Sequence, residues 1–156
     1  MADPASIETI RAAVEVILPG DGVLPSGADL DVQRHVAELA DGYLEGFADM
    51  IAALLDAYAA ERAGGPFKDL DPAERIAVLR AMASEEIQDL RDAADAVFVF
   101  SYGGMYSEWT GFDRQQRALR VPAAWARVGY DGPVLGHPDF RTGDPGPAPD
   151  VRQVEP

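Results

Sequence analysis

Cysteine is absent from all 156 residues of the chain. Disulfide bonds, thiolate nucleophiles and cysteine-bound metals are therefore excluded together. Positive charge is also scarce, because 13 lysines and arginines stand against 27 aspartates and glutamates, which gives a formal net charge of -14. Nucleic acids and anionic lipid surfaces attract basic proteins, so this balance argues against both as partners.

Long apolar runs are missing as well. No stretch approaches the roughly 18 consecutive apolar residues that indicate a membrane span. The start of the chain, MADP, has no basic or apolar signal region and no paired arginines. We therefore expect a cytoplasmic protein without a membrane span. The hydrophobic content of 47% excludes a disordered chain, and the length predicts one domain with a packed core.

Familiar catalytic signatures are also lacking. The chain has no G-x-S-x-G elbow, no phosphate-binding loop, no G-x-G-x-x-G fingerprint and no Glu-x-x-His pair of a di-iron bundle. The nearest candidates for chemistry are Asp31 with His35, His137 in a loop, and a run of carboxylates at Glu85, Asp89 and Asp92. A surface or core position explains the histidines, and a solvated helix face explains the carboxylates. We predict no catalytic, cofactor-binding or metal-binding residue in this chain.

What the sequence does contain is helical patterning, which predicts an all-α domain of about five helices. A first helix is expected from Pro4, capped by Asp3, to the residue before Pro19. Residues 19–27 are rich in glycine and proline and predict a shaped loop. A second helix is expected after Asp29, and a third from about Leu44 to a stop at the glycines 64–65.

The fourth helix is the best marked, over residues 72–83, because Asp71, Pro72 and Glu74 form a capping signature. Its inward residues are expected to be Ile76, Leu79 and Met82. Ser84 is expected to cap a fifth helix. The apolar run 97–100 fits a buried helix end or a short strand, and we favour the helix because it continues a long pattern. Residues 1–140 are taken as one domain with an irregular aromatic C-terminal segment, and 141–156 as an extended or disordered tail.

Aromatic residues are concentrated late in the chain. Nine of the 13 lie between Phe98 and Phe140, including both tryptophans. Four arginines and no lysine accompany them: Arg114, Arg117, Arg120 and Arg127. Aromatic side chains and arginine are enriched at the centres of protein interfaces. A local core filled by these rings is the alternative.

Several motifs together resemble one family. They are VILPGDG at 16–22, LPSG at 24–27, GPFKDLDPAER at 65–75, GMYS at 104–107 and WARVGYDGP at 125–133. In this order and spacing, they are similar to the gluconate 2-dehydrogenase subunit 3 family. Two features depart from the family pattern: residues 108–124 form a longer spacer than usual, and the twin-arginine leader of many relatives is missing.

The resemblance implies a small accessory subunit of a flavin-dependent oxidoreductase of the glucose-methanol-choline type, which oxidises sugars or alcohols. The large subunit would hold the FAD and the catalytic histidine, and this chain would bind and stabilise it, with a part in its maturation as a further option. The residues expected to bind the partner are Tyr102, Met105, Tyr106, Trp109, Phe112, Arg114, Trp125, Arg127, Tyr130 and Phe140. Two alternatives remain open, a stand-alone helical binding module and a small independent enzyme.

Overall fold

The computed structural model describes residues 2–113, 115 and 118–130. Among them are six α-helices: α1 (Pro4–Ile17), α2 (Val32–Tyr43), α3 (Phe47–Ala63), α4 (Pro72–Ala83), α5 (Gln88–Tyr106) and α6 (Ala123–Val128). Two 3₁₀ helices span Phe67–Asp69 and Glu108–Gly111, and the two-residue strands β1 (Phe112–Asp113) and β2 (Ala118–Leu119) pair antiparallel. The all-α prediction is confirmed. The predicted tail at 141–156 lies outside the described residues.

Local capping chemistry defines two of the helix starts as predicted. The Asp3 carboxylate accepts a hydrogen bond from the Ala5 amide at 2.8 Å, and Pro4 opens α1. Asp71 and Glu74 form a reciprocal capping box, in which each side chain accepts from the backbone amide of the other at 2.9 and 3.1 Å. Satisfying amides that have no partner within the helix fixes where α1 and α4 begin.

Two other helices begin later than expected, each after a residue with left-handed backbone. Asp31 has φ 58° before α2, and Gly46 has φ 79° before α3. The third helix ends at Gly64, also left-handed, as predicted. The run 97–100 is helical, which confirms the helix over the strand, and α5 continues to Tyr106.

Two details of the fourth and fifth helices were predicted wrongly. Ile76 is exposed, whereas Val78 is buried beside Leu79 and Met82. Residues 75, 78, 79 and 82 share one helix face, and position 76 lies roughly 110° from the centre of that face. Ser84 does not cap α5: its hydroxyl donates to the Arg80 carbonyl at 2.8 Å, at the end of α4.

The hydrophobic core lies among α1, α2, α3, α4 and α5. Fully buried side chains from each of them meet there, including Val14, Val36, Leu55, Met82 and Val97. The 3₁₀ helix at Phe67–Asp69 packs against α1 and α3 and contributes Phe67. Within the described chain, no helix combines the length and apolar character needed to cross a lipid bilayer.

Candidate partner-binding surface

The outer face of α5 changes character along its length. Asp92 and Asp95 are exposed in the first half of the helix, whereas Val99, Tyr102 and Tyr106 are 64%, 50% and 44% exposed in the second. The spacing of three and four residues places all five on one side of the helix. Because large apolar side chains at such spacing normally face a core, their exposure marks an apolar surface that the described part of the chain leaves open.

The segment after α5 is fixed to the helical body by both tryptophans. The Trp109 indole donates to the Asp31 carbonyl at 3.3 Å, and its ring lies 5.3 Å from the His35 ring, measured between centroids. The Trp125 indole donates to the Tyr106 carbonyl at 2.6 Å, and its side chain is buried. The described residues of the segment 107–130 therefore pack on the end of α5 next to its apolar stripe.

Two glycines permit close approaches that hold this region together. A Cβ on Gly104 would lie 2.7 Å from His35 Cδ2 and 3.0 Å from Val32 Cγ1, so this glycine allows α2 and α5 to touch. A Cβ on Gly111 would lie 2.1 Å from the Arg120 carbonyl oxygen. The Arg120 amide donates to the Gly111 carbonyl at 2.8 Å across the same contact. A side chain at either position would force its neighbours apart.

An open cleft of about 590 Å³ lies where these elements meet. Its described lining residues are His35, Ser107, Glu108, Trp109, Phe112, Trp125 and Tyr130. The Tyr130 ring meets the Trp125 ring edge to face at 4.9 Å between centroids, and the Tyr130 amide donates to the Trp125 carbonyl at 2.9 Å. Phe112 and Tyr130 are each nearly half exposed. We call this feature the aromatic cleft.

An ion pair joins the loop at residues 19–27 to this region. Arg127 approaches Asp21 to 3.3 Å, with both side chains about half exposed. The Asp21 carboxylate also accepts from the Leu24 and Val23 amides at 2.7 and 2.9 Å. These amides, Leu24 first, hold the pKa of Asp21 below its ordinary value, with a smaller contribution from Arg127. Exposed ion pairs are weak, so this contact aligns the loop more than it stabilises the fold.

The residues expected from sequence to bind a partner divide into three groups. Tyr102, Tyr106, Phe112, Tyr130 and Arg127 are exposed, and Trp109 is half-buried. Met105 and Trp125 are buried, so they hold the surface from below. Arg114 and Phe140 lie outside the described residues.

Several residues of this surface were not identified from the sequence as partner-binding. Val99, Val121 and Val128 are more than half exposed, and His35 and Glu108 line the aromatic cleft. Val99 lies three residues before Tyr102 and seven before Tyr106 on the same helix, so helical spacing alone could have identified it. His35 belongs to α2, which is distant in sequence, and the residues around it did not indicate that it lies beside the aromatic segment.

The features that suggested metal chemistry have other contacts. The Asp31 carboxylate accepts a hydrogen bond from the side-chain Nε2 of Gln33 at 2.8 Å and pairs with Arg34 at 3.2 Å. Within residues 2–113, 115 and 118–130, no cluster of three or more His, Asp or Glu side chains is arranged to hold a metal ion. His137 lies outside the described part of the chain.

The stability of the chain is expected to depend on pH because His35 is partly buried. Desolvation by burial lowers the pKa of His35 below its ordinary value of 6.5, and the nearby Glu38 carboxylate partly opposes this shift. Between the folded and the unfolded pKa, the unfolded chain binds more protons, so the free energy of unfolding falls as the pH drops below 6.5.

The measurement is chemical denaturation between about pH 8 and about pH 5, compared with a His35→Gln variant that cannot titrate there. The variant is expected to lose less stability over this interval than the wild type. Equal losses in the two proteins would contradict the assignment.

Comparison with known protein families gives a match over most of the chain. A family model described as "Gluconate 2-dehydrogenase subunit 3" matches residues 4–130. No curated protein and no solved structure matches the chain. The matched range covers the helical body, the apolar stripe of α5 and the aromatic cleft, and it confirms the resemblance seen in the sequence. The chain belongs to the gluconate 2-dehydrogenase subunit 3 family.

Proposed function

We propose that this chain is a non-catalytic accessory subunit that binds and stabilises a large FAD-dependent sugar or alcohol oxidoreductase. The family is named as a subunit of a dehydrogenase, which supports a role inside a complex. The observation that carries the proposal is the exposed apolar stripe Val99, Tyr102 and Tyr106 on α5, continuous along the chain with the aromatic segment 107–130.

The energetics of this stripe favour its burial against a partner. Burying a valine or larger apolar side chain is worth about 1.5–3 kcal/mol. Tyrosine and tryptophan concentrate binding energy at interfaces because they bury large rigid areas and also offer polar groups. Three such residues on one rigid helix, beside an aromatic cleft, therefore form a binding surface with little flexibility to lose on association.

The proposal assigns different roles to the two subunits. FAD and the groups that act on the substrate belong to the large subunit in this proposal, and this chain supplies contact area. The acidic first half of α5 stays in water, while the apolar second half meets the large subunit. Stabilisation follows by mass action, because a partner that binds only the folded large subunit lowers its free energy relative to unfolded forms.

Co-expression with a candidate large flavoprotein subunit encoded in the same genome tests the proposal. The wild-type chain is expected to co-purify with the large subunit in a defined ratio and to raise its yield and flavin content. The double variant Val99→Ser, Tyr102→Ser should lose this complex, because two central apolar contacts are removed, each worth more than about 1 kcal/mol. Size-exclusion chromatography and visible flavin absorbance provide the measurements.

A matched control exists at the other end of the same helix. Ile87 is 59% exposed, close to the 64% of Val99, and it precedes the first residue of α5. Ile87→Ser should leave the complex intact. Equal yield, flavin content and activity of the large subunit with and without the wild-type chain would sink the proposal. If the double variant Val99→Ser, Tyr102→Ser and the single variant Ile87→Ser weakened the complex equally, the apolar stripe of α5 would not be the contact surface.

A further inference from the structure

We propose that the aromatic cleft receives an arginine side chain of the partner, which makes it a guanidinium-binding site. This inference rests on the proposed function for the origin of the arginine. The cleft itself is a property of the free chain. Its described lining combines five aromatic rings with a carboxylate: the rings belong to His35, Trp109, Phe112, Trp125 and Tyr130, and the carboxylate to Glu108.

The chemistry of this lining selects a cation. The faces of tryptophan, tyrosine and phenylalanine carry negative potential and attract guanidinium or ammonium groups that lie within about 6 Å of the ring centre. Glu108 is exposed at the cleft and adds a full negative charge. The described residues that line the cleft include no lysine or arginine.

The charge of the whole chain acts in the same direction. With a formal net charge of -14, the chain attracts basic groups and repels acidic ones during association. Cavities that hold small molecules measure about 300–1,000 Å³. The cleft, at about 590 Å³, therefore has room for an arginine side chain and part of its flanking backbone.

Arginine fits this lining better than lysine. Its guanidinium is planar and weakly hydrated, stacks on aromatic faces and donates two parallel hydrogen bonds to a carboxylate. The cleft offers both kinds of contact, rings on its walls and the Glu108 carboxylate. A lysine ammonium would remain a hydrated point charge and would use the rings less fully.

The chain provides its own reporter for the test. It has two tryptophans, and both line the cleft, so its tryptophan fluorescence reports directly on occupancy. The full-length chain is titrated with N-acetyl-arginine amide, and in parallel with N-acetyl-citrulline amide, which has the same shape without the charge. A saturable fluorescence change is expected with arginine amide in roughly the millimolar range, and binding of citrulline amide about tenfold weaker or absent.

Three variants assign the contacts. Glu108→Gln removes the carboxylate and should weaken arginine amide binding at least about threefold. Phe112→Leu keeps an apolar side chain but removes a ring face, and it should weaken binding by a similar factor of about three. Glu86→Gln removes an exposed carboxylate beyond the opposite end of α5 and should leave binding unchanged. The positions of Glu108, Phe112 and Glu86 are all exposed, so these variants are expected to fold.

The outcomes separate this inference from the proposed function. Equal responses to the arginine and citrulline amides, no saturable response, or full binding in Glu108→Gln would each overturn the guanidinium site, even when the large subunit co-purifies. Binding of arginine amide with the expected variant pattern supports the site. Failure of co-purification alongside that pattern would remove the flavoprotein as the source of the arginine while the site itself stands.

Discussion

Replacement of Phe67 by alanine is expected to lower the free energy of unfolding by about 3–5 kcal/mol. Phe67 is 0% exposed and is the largest fully buried side chain among the described residues. It belongs to the short 3₁₀ helix that packs against α1 and α3, and its amide donates to the Asp56 carboxylate at 2.9 Å. Removing the ring leaves a cavity that two packed helices cannot close.

Urea denaturation of Phe67→Ala and of Phe112→Ala gives a matched comparison. Phe112 is 47% exposed at the aromatic cleft, so the same chemical change there should cost less than about 1 kcal/mol of stability. Phe67→Ala is expected to lower the stability of the fold, whereas Phe112→Ala is expected to alter mainly the aromatic cleft. Similar losses of stability in the two variants would contradict the burial that distinguishes them.

Gly111→Ala is expected to destabilise the chain by about 1–3 kcal/mol and to separate the segment 118–130 from α5. The added Cβ would lie 2.1 Å from a backbone oxygen, which cannot rotate away as a side chain would. Relief requires that the hydrogen bond between the Arg120 amide and the Gly111 carbonyl open. Since this segment carries Trp125 and Tyr130, the cleft should lose its shape as well.

The measurements are urea denaturation and the tryptophan emission maximum, which should shift towards that of a solvated indole. Gly103→Ala is the control, because nothing lies within 4 Å of a Cβ at this exposed position inside α5. There the alanine should raise stability by about 0.5–1 kcal/mol through helix propensity. A Gly111→Ala variant with unchanged stability and emission would show that the close contact at Arg120 is wrong.

Helix starts that are determined by residues close in sequence could be predicted from the sequence. The starts of α1 and α4 depend on Asp3 and Asp71, whose carboxylates bond amides two and three residues away. Ser84 looked equally suitable as a cap, but its hydroxyl bonds the preceding turn instead. Both uses of a serine are local and similar in energy, so sequence alone could not choose between them.

The surface was predictable only in part. The clustering of aromatic residues indicated Tyr102, Tyr106 and the segment that follows, whereas the helical spacing that adds Val99 was not used. The cleft also needs His35, which reaches it only because Gly104 lets α2 approach α5. That contact joins residues almost 70 positions apart, and no periodicity within one helix contains it. Ile76 shows the same limit, because the buried face of α4 is selected by what packs on it.

The outer face of α5 is acidic in its first half and apolar in its second half, and this arrangement affects how two copies of the chain would associate. Dimerisation of two free copies through their apolar stripes would bring two chains of charge -14 together. The repulsion between their like charges opposes this association. The protection is electrostatic, so added salt weakens it, and the Debye length shrinks to about 3 Å at 1 M. We therefore expect an unassembled copy to expose its apolar stripe with less tendency to form homodimers at low ionic strength than at high salt.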